Sequence, residues 1–174
     1  MSRRPNTVGG GARTNLNGLR FERETELHDA LEQNGAFVVL GDNVYRDGEC
    51  IATLYQKHSL YKNLLEPNGV DWKKIMSKQL LPDDALLVYN LRTLFIVEKK
   101  YQGGSGSVDE KLQTCDFKKR QYEKLLRPLN YDVRFCYLLS DWFKDPKYND
   151  TLAYIFSVDC EYFFGEIPLE YFGL

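Results

Sequence analysis

Residues 82–100 read PDDALLVYNLRTLFIVEKK, two apolar, β-prone runs (84–89 and 93–98) on either side of a few residues centred on Asn90-Leu91. Runs of this length and composition form a hairpin, and because they carry almost no alternation, both strands are expected to be buried on both faces. The second run ends in Glu98, Lys99 and Lys100, and charges at the end of a core strand are costly unless they are paired. Side chains alternate along a strand, so Glu98 and Lys100 point to one face and Val97 and Lys99 to the other. Which upstream acid joins them depends on the loop. An even number of connecting residues sets Asp83 opposite Glu98, and an odd number brings Asp84 to that face instead. Two- and four-residue connections suit this turn, which favours Asp83 with Asp84 as the alternative.

Working outward, residues 108–127 have apolar side chains at three- and four-residue steps and predict one long helix. Ser107 and Glu110 form a capping box at its start and Pro128 stops it. The next run, DVRFCYLLS (132–140), reads as a core strand, which a helical crossover would set parallel to the hairpin. Upstream, residues 17–33 predict a helix ending before Asn34-Gly35, residues 36–40 a short buried strand, and residues 59–69 a short helix closed by Pro67 and Gly69. Residues 1–14, with three consecutive glycines and three arginines, read as a flexible tail that could touch an anionic partner. The aromatic-rich segment after residue 140 yields no clear pattern. The expectation is one α/β domain over residues 15–174, a central mixed β-sheet flanked by helices.

At 174 residues and 43% hydrophobic content the chain can bury a full core. Its net charge of -2 speaks against a uniformly basic nucleic-acid binder, yet residues 99–127 hold eight Lys/Arg against four acids, while residues 140–174 hold seven acids against two lysines. Four cysteines spaced far apart, with no CxxC pair, and two histidines argue against a structural zinc site or a disulfide framework. No signal peptide is evident and no apolar stretch is long enough to span a membrane, so a cytoplasmic setting is expected.

Two carboxylates and a lysine converging at a strand end can bind Mg²⁺ through hard oxygen ligands. The cation would polarise a phosphoryl oxygen while the lysine orients or deprotonates the attacking water, which is the chemistry of phosphodiester hydrolysis. Pro82-Asp83 followed by Glu98-Lys99-Lys100 at the end of an apolar strand resembles the PD-(D/E)xK nuclease superfamily. The continuation KKYQGGSGSVDEKLQTCDFKKRQYEKL resembles small type II restriction endonucleases within it. That resemblance implies a restriction-endonuclease-like core, with Asp83 and Glu98 as metal ligands and Lys100 as the lysine that positions water. It also implies a further ligand glutamate from the first helix, for which Glu22 fits best, with Glu24 and Glu26 as rivals.

Beyond the triplet, the glycines and the capped helix start offer backbone N–H groups to a phosphate or a base edge, although a tight strand-to-helix connection needs the same residues. Gln102, Ser105, Ser107 and Lys111 are the candidate DNA contacts, with Lys118, Lys119 and Lys124 continuing a basic stripe along the phosphate backbone. No GK[ST] follows the glycines, which excludes a nucleotide P-loop. The expected function is a Mg²⁺-dependent, sequence-specific endodeoxyribonuclease acting on double-stranded DNA. Because each chain carries one centre and two strands must be cut, a homodimer is expected. The alternatives are a structure-specific repair or junction nuclease, and a catalytically inactive DNA-binding module of the same fold.

Overall fold

The computed structural model describes residues 10–103 and 108–174. Helices α1 (Gly10–Glu24) and α2 (Leu27–Gln33) lead into five antiparallel strands: β1 (Val38–Leu40), β2 (Asn43–Arg46), β3 (Glu49–Tyr55), β4 (Asp84–Val88) and β5 (Thr93–Lys100). Helices α3 (Val108–Leu112) and α4 (Cys115–Leu126) carry the chain to β6 (Asp132–Leu139), and α5 (Asn149–Ser157) carries it to β7 (Glu161–Phe164). Both final strands pair in parallel, so seven strands in sequence order make one mixed sheet. The architecture is α/β, a mixed sheet flanked by helices, as the sequence predicts.

The central hairpin is buried throughout. Ala85, Leu87, Leu94 and Ile96 of β4 and β5 face one core with Tyr61, Leu65, Tyr122 and Leu125. Leu86, Val88, Phe95 and Val97 face a second core with Leu27, Leu31 and Phe172. Helices cover both faces, which is why these strands read as continuous apolar runs rather than as alternating ones. Four residues, Tyr89 to Arg92, connect them. Arg92 adopts the left-handed φ of 49° and Val88 pairs with Thr93. The even connection carries the register to Asp84 opposite Val97, where the ladder ends; Asp83, just before β4, is tied to β5 by the amide of Lys99 (2.9 Å).

Several boundaries differ from those expected. Residues 36–40 give an edge strand rather than a buried one, with Val38 and Leu40 58% and 61% exposed, because β1 pairs only with β2. The single helix expected over 17–33 is two: Glu26 is extended (ψ 128°), and the Thr25 hydroxyl donates to the Phe21 carbonyl at 2.6 Å. α1 also begins at Gly10, inside the segment read as a tail.

The helix expected over 108–127 breaks at residues 113–114. An unbroken helix would give the Lys111 carbonyl to the amide of residue 115; here it accepts from the Thr114 hydroxyl (2.7 Å) and from the Tyr137 hydroxyl (3.1 Å). Ser107, half of the expected capping box, lies outside the described residues. Strands β2, β3 and β7 and helix α5 had no clear sequence signature. Among the described residues no helix is long and apolar enough to cross a membrane.

On the α1 side of the sheet, the sealed face of the hairpin, Lys99 meets Asp84. Their Nζ–Oδ2 separation is 2.8 Å and their side chains are 4% and 1% exposed. The directed hydrogen bond of Lys99 Nζ goes to the Glu22 carbonyl (3.1 Å), and Gln56 Nε2 donates to Asp84 Oδ1 (2.7 Å). Removing one partner of such a pair leaves an uncompensated buried charge, so Lys99→Met is expected to cost about 3–5 kcal/mol in urea unfolding. The double variant Lys99→Met/Asp84→Leu should regain most of that loss; a double variant no more stable than the single one would show that the pair does not account for it.

Candidate active site

Asp83, Glu98 and Lys100 converge on the opposite face of the same hairpin, at the C-terminal end of β5. Lys100 Nζ donates to Glu98 Oε2 (2.8 Å) and lies 3.8 Å from Asp83 Oδ2, so one ammonium spans both carboxylates. The amide of Lys99 donates to Asp83 Oδ2 (2.9 Å), fixing the aspartate against the neighbouring strand. The parallel strand β6 supplies the wall, with Lys100 Nζ 6.0 Å from the centroid of the Tyr137 ring. Asp84 points the other way, into its pair with Lys99.

Two further lysines complete the cluster, and neither is recognisable from the sequence. Lys118 of α4 donates to Glu98 Oε2 at 2.8 Å. Lys57, just beyond β3, bonds its Nζ to Asp83 Oδ1 and its backbone amide to the Pro82 carbonyl (2.9 Å). Burial alone would push the Asp83 carboxyl up, but Lys100, Lys57 and the Lys99 amide outweigh it and hold the carboxyl below its ordinary range. Burial likewise opposes the charge on Lys57, and the attraction of Asp83, Glu22 and Glu98 more than offsets it, so that ammonium is held above its ordinary value.

Glu22 reaches the site from α1 on the Lys57 side: its carbonyl receives Lys99 Nζ and its carboxylate attracts Lys57. It does not close a three-carboxylate cage. Among the described residues the only set of three ligand atoms within 4.8 Å of one another is the surface group His28, Asp29 and Glu32 on α2.

A separate feature bears on whether a hydrated cation suits the place. The Tyr122 hydroxyl is buried without a hydrogen-bond partner. Burial, then the charges of Glu98 and Asp83 beside it with Tyr61, push its pKa far up, so it stays a proton donor at any physiological pH. A buried donor with no protein acceptor, within electrostatic reach of Glu98 and Asp83, is the kind of group a bound water satisfies, and the two carboxylates are oxygen donors of the type a hard cation takes.

The expected DNA contacts are dispersed. Lys111 is exposed at the end of α3, whereas Gln102 is 3% exposed, with its amide and carbonyl both bonded to the Ser140 hydroxyl where β5 and β6 end. Ser105 and Ser107 lie outside the described residues. The basic stripe does not exist as one surface. Lys118 turns to Glu98, and Lys119 is buried on the Asp159 carbonyl (2.8 Å) and carboxylate; Lys124 remains exposed. The spacing of lysines along a helix could not reveal this, because acids distant in sequence capture two of them.

Compared with models of known families, with curated proteins and with solved structures, the chain has no match.

Two outcomes test the electrostatics. Asp83 has a depressed folded-state pKa, so its charge stabilises the fold above its unfolded pKa of about 3.9, and that contribution is lost as pH falls through the folded value. The stability gap between wild type and Asp83→Asn should therefore be full at neutral pH and shrink in acid; a gap of equal size at both would remove the carboxylate from the balance. Tyr122→Phe deletes a hydroxyl without a protein partner, so urea unfolding in EDTA should show it neutral or slightly stabilising. A loss above about 1 kcal/mol would mean that the hydroxyl is already satisfied.

Proposed function

We propose that this chain is a Mg²⁺-dependent endonuclease that hydrolyses phosphodiester bonds in double-stranded DNA at a defined sequence, as a homodimer, on a restriction-endonuclease-like core. The observation that carries this reading is Lys100 held between Asp83 and Glu98 on one face of a rigid hairpin. Asp83 and Glu98 are the residues that would hold Mg²⁺, with Glu22 of α1 as the further carboxylate. The cation, when bound, would supply Lewis acidity toward a phosphoryl oxygen and the incoming water.

The chain's own groups do the rest. Lys100 presents N–H donors where water must approach, orienting it and screening the negative charge that accumulates on the phosphoryl oxygens. The Tyr122 hydroxyl, buried and without a protein acceptor, would be one more donor to a water there. The water oxygen forms the new P–O bond as the bond to the departing sugar oxygen breaks; Lys100, an ammonium that already donates to Glu98, orients the water without taking its proton, which passes to solvent, and a solvent proton neutralises the departing sugar oxygen. The lysines on α4 and beside β3 favour an anionic substrate over a neutral one. A sheet covered on both faces holds the three groups in place, which is what hydrolysis by positioning requires.

Incubated with linear duplex DNA and Mg²⁺, the protein should yield discrete bands. Lys100→Ala should lose at least about a hundredfold in rate while keeping its circular dichroism spectrum. Ca²⁺ should support DNA binding with little cutting, since its larger and looser shell positions water poorly. Cleavage confined to branched DNA would overturn the restriction reading, and a fully active Lys100→Ala would overturn the site.

A further inference from the structure

Lys57 differs from the other two lysines of the cluster in ways that suit it to move. Its backbone holds a left-handed φ of 47°, uncommon for a residue with a long side chain. That conformation is pinned by its own amide on the Pro82 carbonyl, by the Gln56 amide on the Ser59 hydroxyl (2.7 Å) and by the Gln56 side chain on Asp84.

The side chain of Lys57 is 50% exposed, against 16% for Lys100 and 23% for Lys118, and it alone of the three takes Asp83 Oδ1 while the others share Glu98. Three ammoniums, those of Lys57, Lys100 and Lys118, balance three carboxylates, those of Glu22, Asp83 and Glu98. A divalent cation added to that balance must expel an ammonium or recruit an anion. The one that can leave without being dragged through protein is Lys57.

We propose that Lys57 is a resident counter-ion that competes with the divalent cation for Asp83 and, once displaced, turns to the phosphate of the incoming substrate. This deepens the nuclease reading and rests on it. The pairing keeps the site from binding a cation tightly on its own, and it couples cation loading to arrival of an anion that accepts the freed ammonium. Lys57 is then a positioning residue, and its first effect is on cation affinity.

Calorimetric titration of the full chain with Mn²⁺, without DNA, reads that effect. Lys57→Met should bind Mn²⁺ roughly tenfold more tightly than wild type, because a competing charge is gone, and Lys57→Arg should return to the wild-type value. Lys57→Gln gives the same comparison if the methionine variant is insoluble. Affinity equal to or weaker than wild type in the neutral variants would overturn the competition. At saturating Mn²⁺ the initial nicking rate of supercoiled plasmid by Lys57→Met should fall about tenfold, and a rate equal to wild type would overturn the transfer of the ammonium to substrate. Asp83→Asn separates the two readings. If it abolishes Mn²⁺ binding while Lys57→Met changes nothing, the competition fails and the nuclease site stands; if it leaves Mn²⁺ binding unchanged, the cation is not at Asp83 and both fail.

Discussion

The pairing of β4 with β5 across a four-residue connection governs everything else in this molecule. Both strands are covered by helices, so their apolar side chains are committed to one of two closed interiors and the register has no freedom to slip. With Val88 opposite Thr93, Asp84 arrives opposite Val97, and Asp83 before it shares the ammonium of Lys100 with Glu98 on the other face. One residue more or less in the connection would exchange the two aspartates, delivering the wrong acid to each face. Arg92, in the left-handed region at the end of the loop, makes the even connection possible, and its carbonyl also receives the Asp132 amide (2.9 Å), tying the turn to the start of β6.

From that register follow two opposite electrostatic solutions within three consecutive residues. Lys99 enters a sealed interior and meets Asp84, where desolvation leaves no tolerance for an unpaired charge. Glu98 and Lys100 emerge at an end of the sheet that is partly open, among two more lysines and an aspartate with several alternative partners. The first arrangement is rigid and serves the fold. The second is a set of partly exposed charges in which each carboxylate has more than one ammonium within reach. The buried Tyr122 hydroxyl, whose proton the charges of Glu98 and Asp83 help to retain, belongs on this side.

The three central strands, β4, β5 and β6, were the most legible part of the fold, because strand identity, burial on both faces and parallel return depend on local runs of apolar residues. The helices were less so. At the break at residues 113–114 the Lys111 carbonyl accepts from the hydroxyls of Thr114 and of Tyr137 on β6, and at the break at residues 25–26 Glu26 is extended, while Phe21 before it and Leu27 and Leu31 after it reach the same core. Strands β2, β3 and β7 were missed because their burial is set by neighbours in the sheet rather than by their own pattern.

The sequence by itself determined the hairpin, the division of Glu98 and Lys100 from Lys99, and the choice of Asp83 once an even loop was granted, because alternation along a strand is a local property of the backbone. Only the tertiary structure decided which cations surround those acids. Lys57 and Lys118 lie 26 and 20 residues from their partners, and Lys119 is buried against an aspartate 40 residues away. Contacts of that kind depend on how helices and loops close over the sheet, and a long flexible lysine side chain carries no local signal of where its charge will settle.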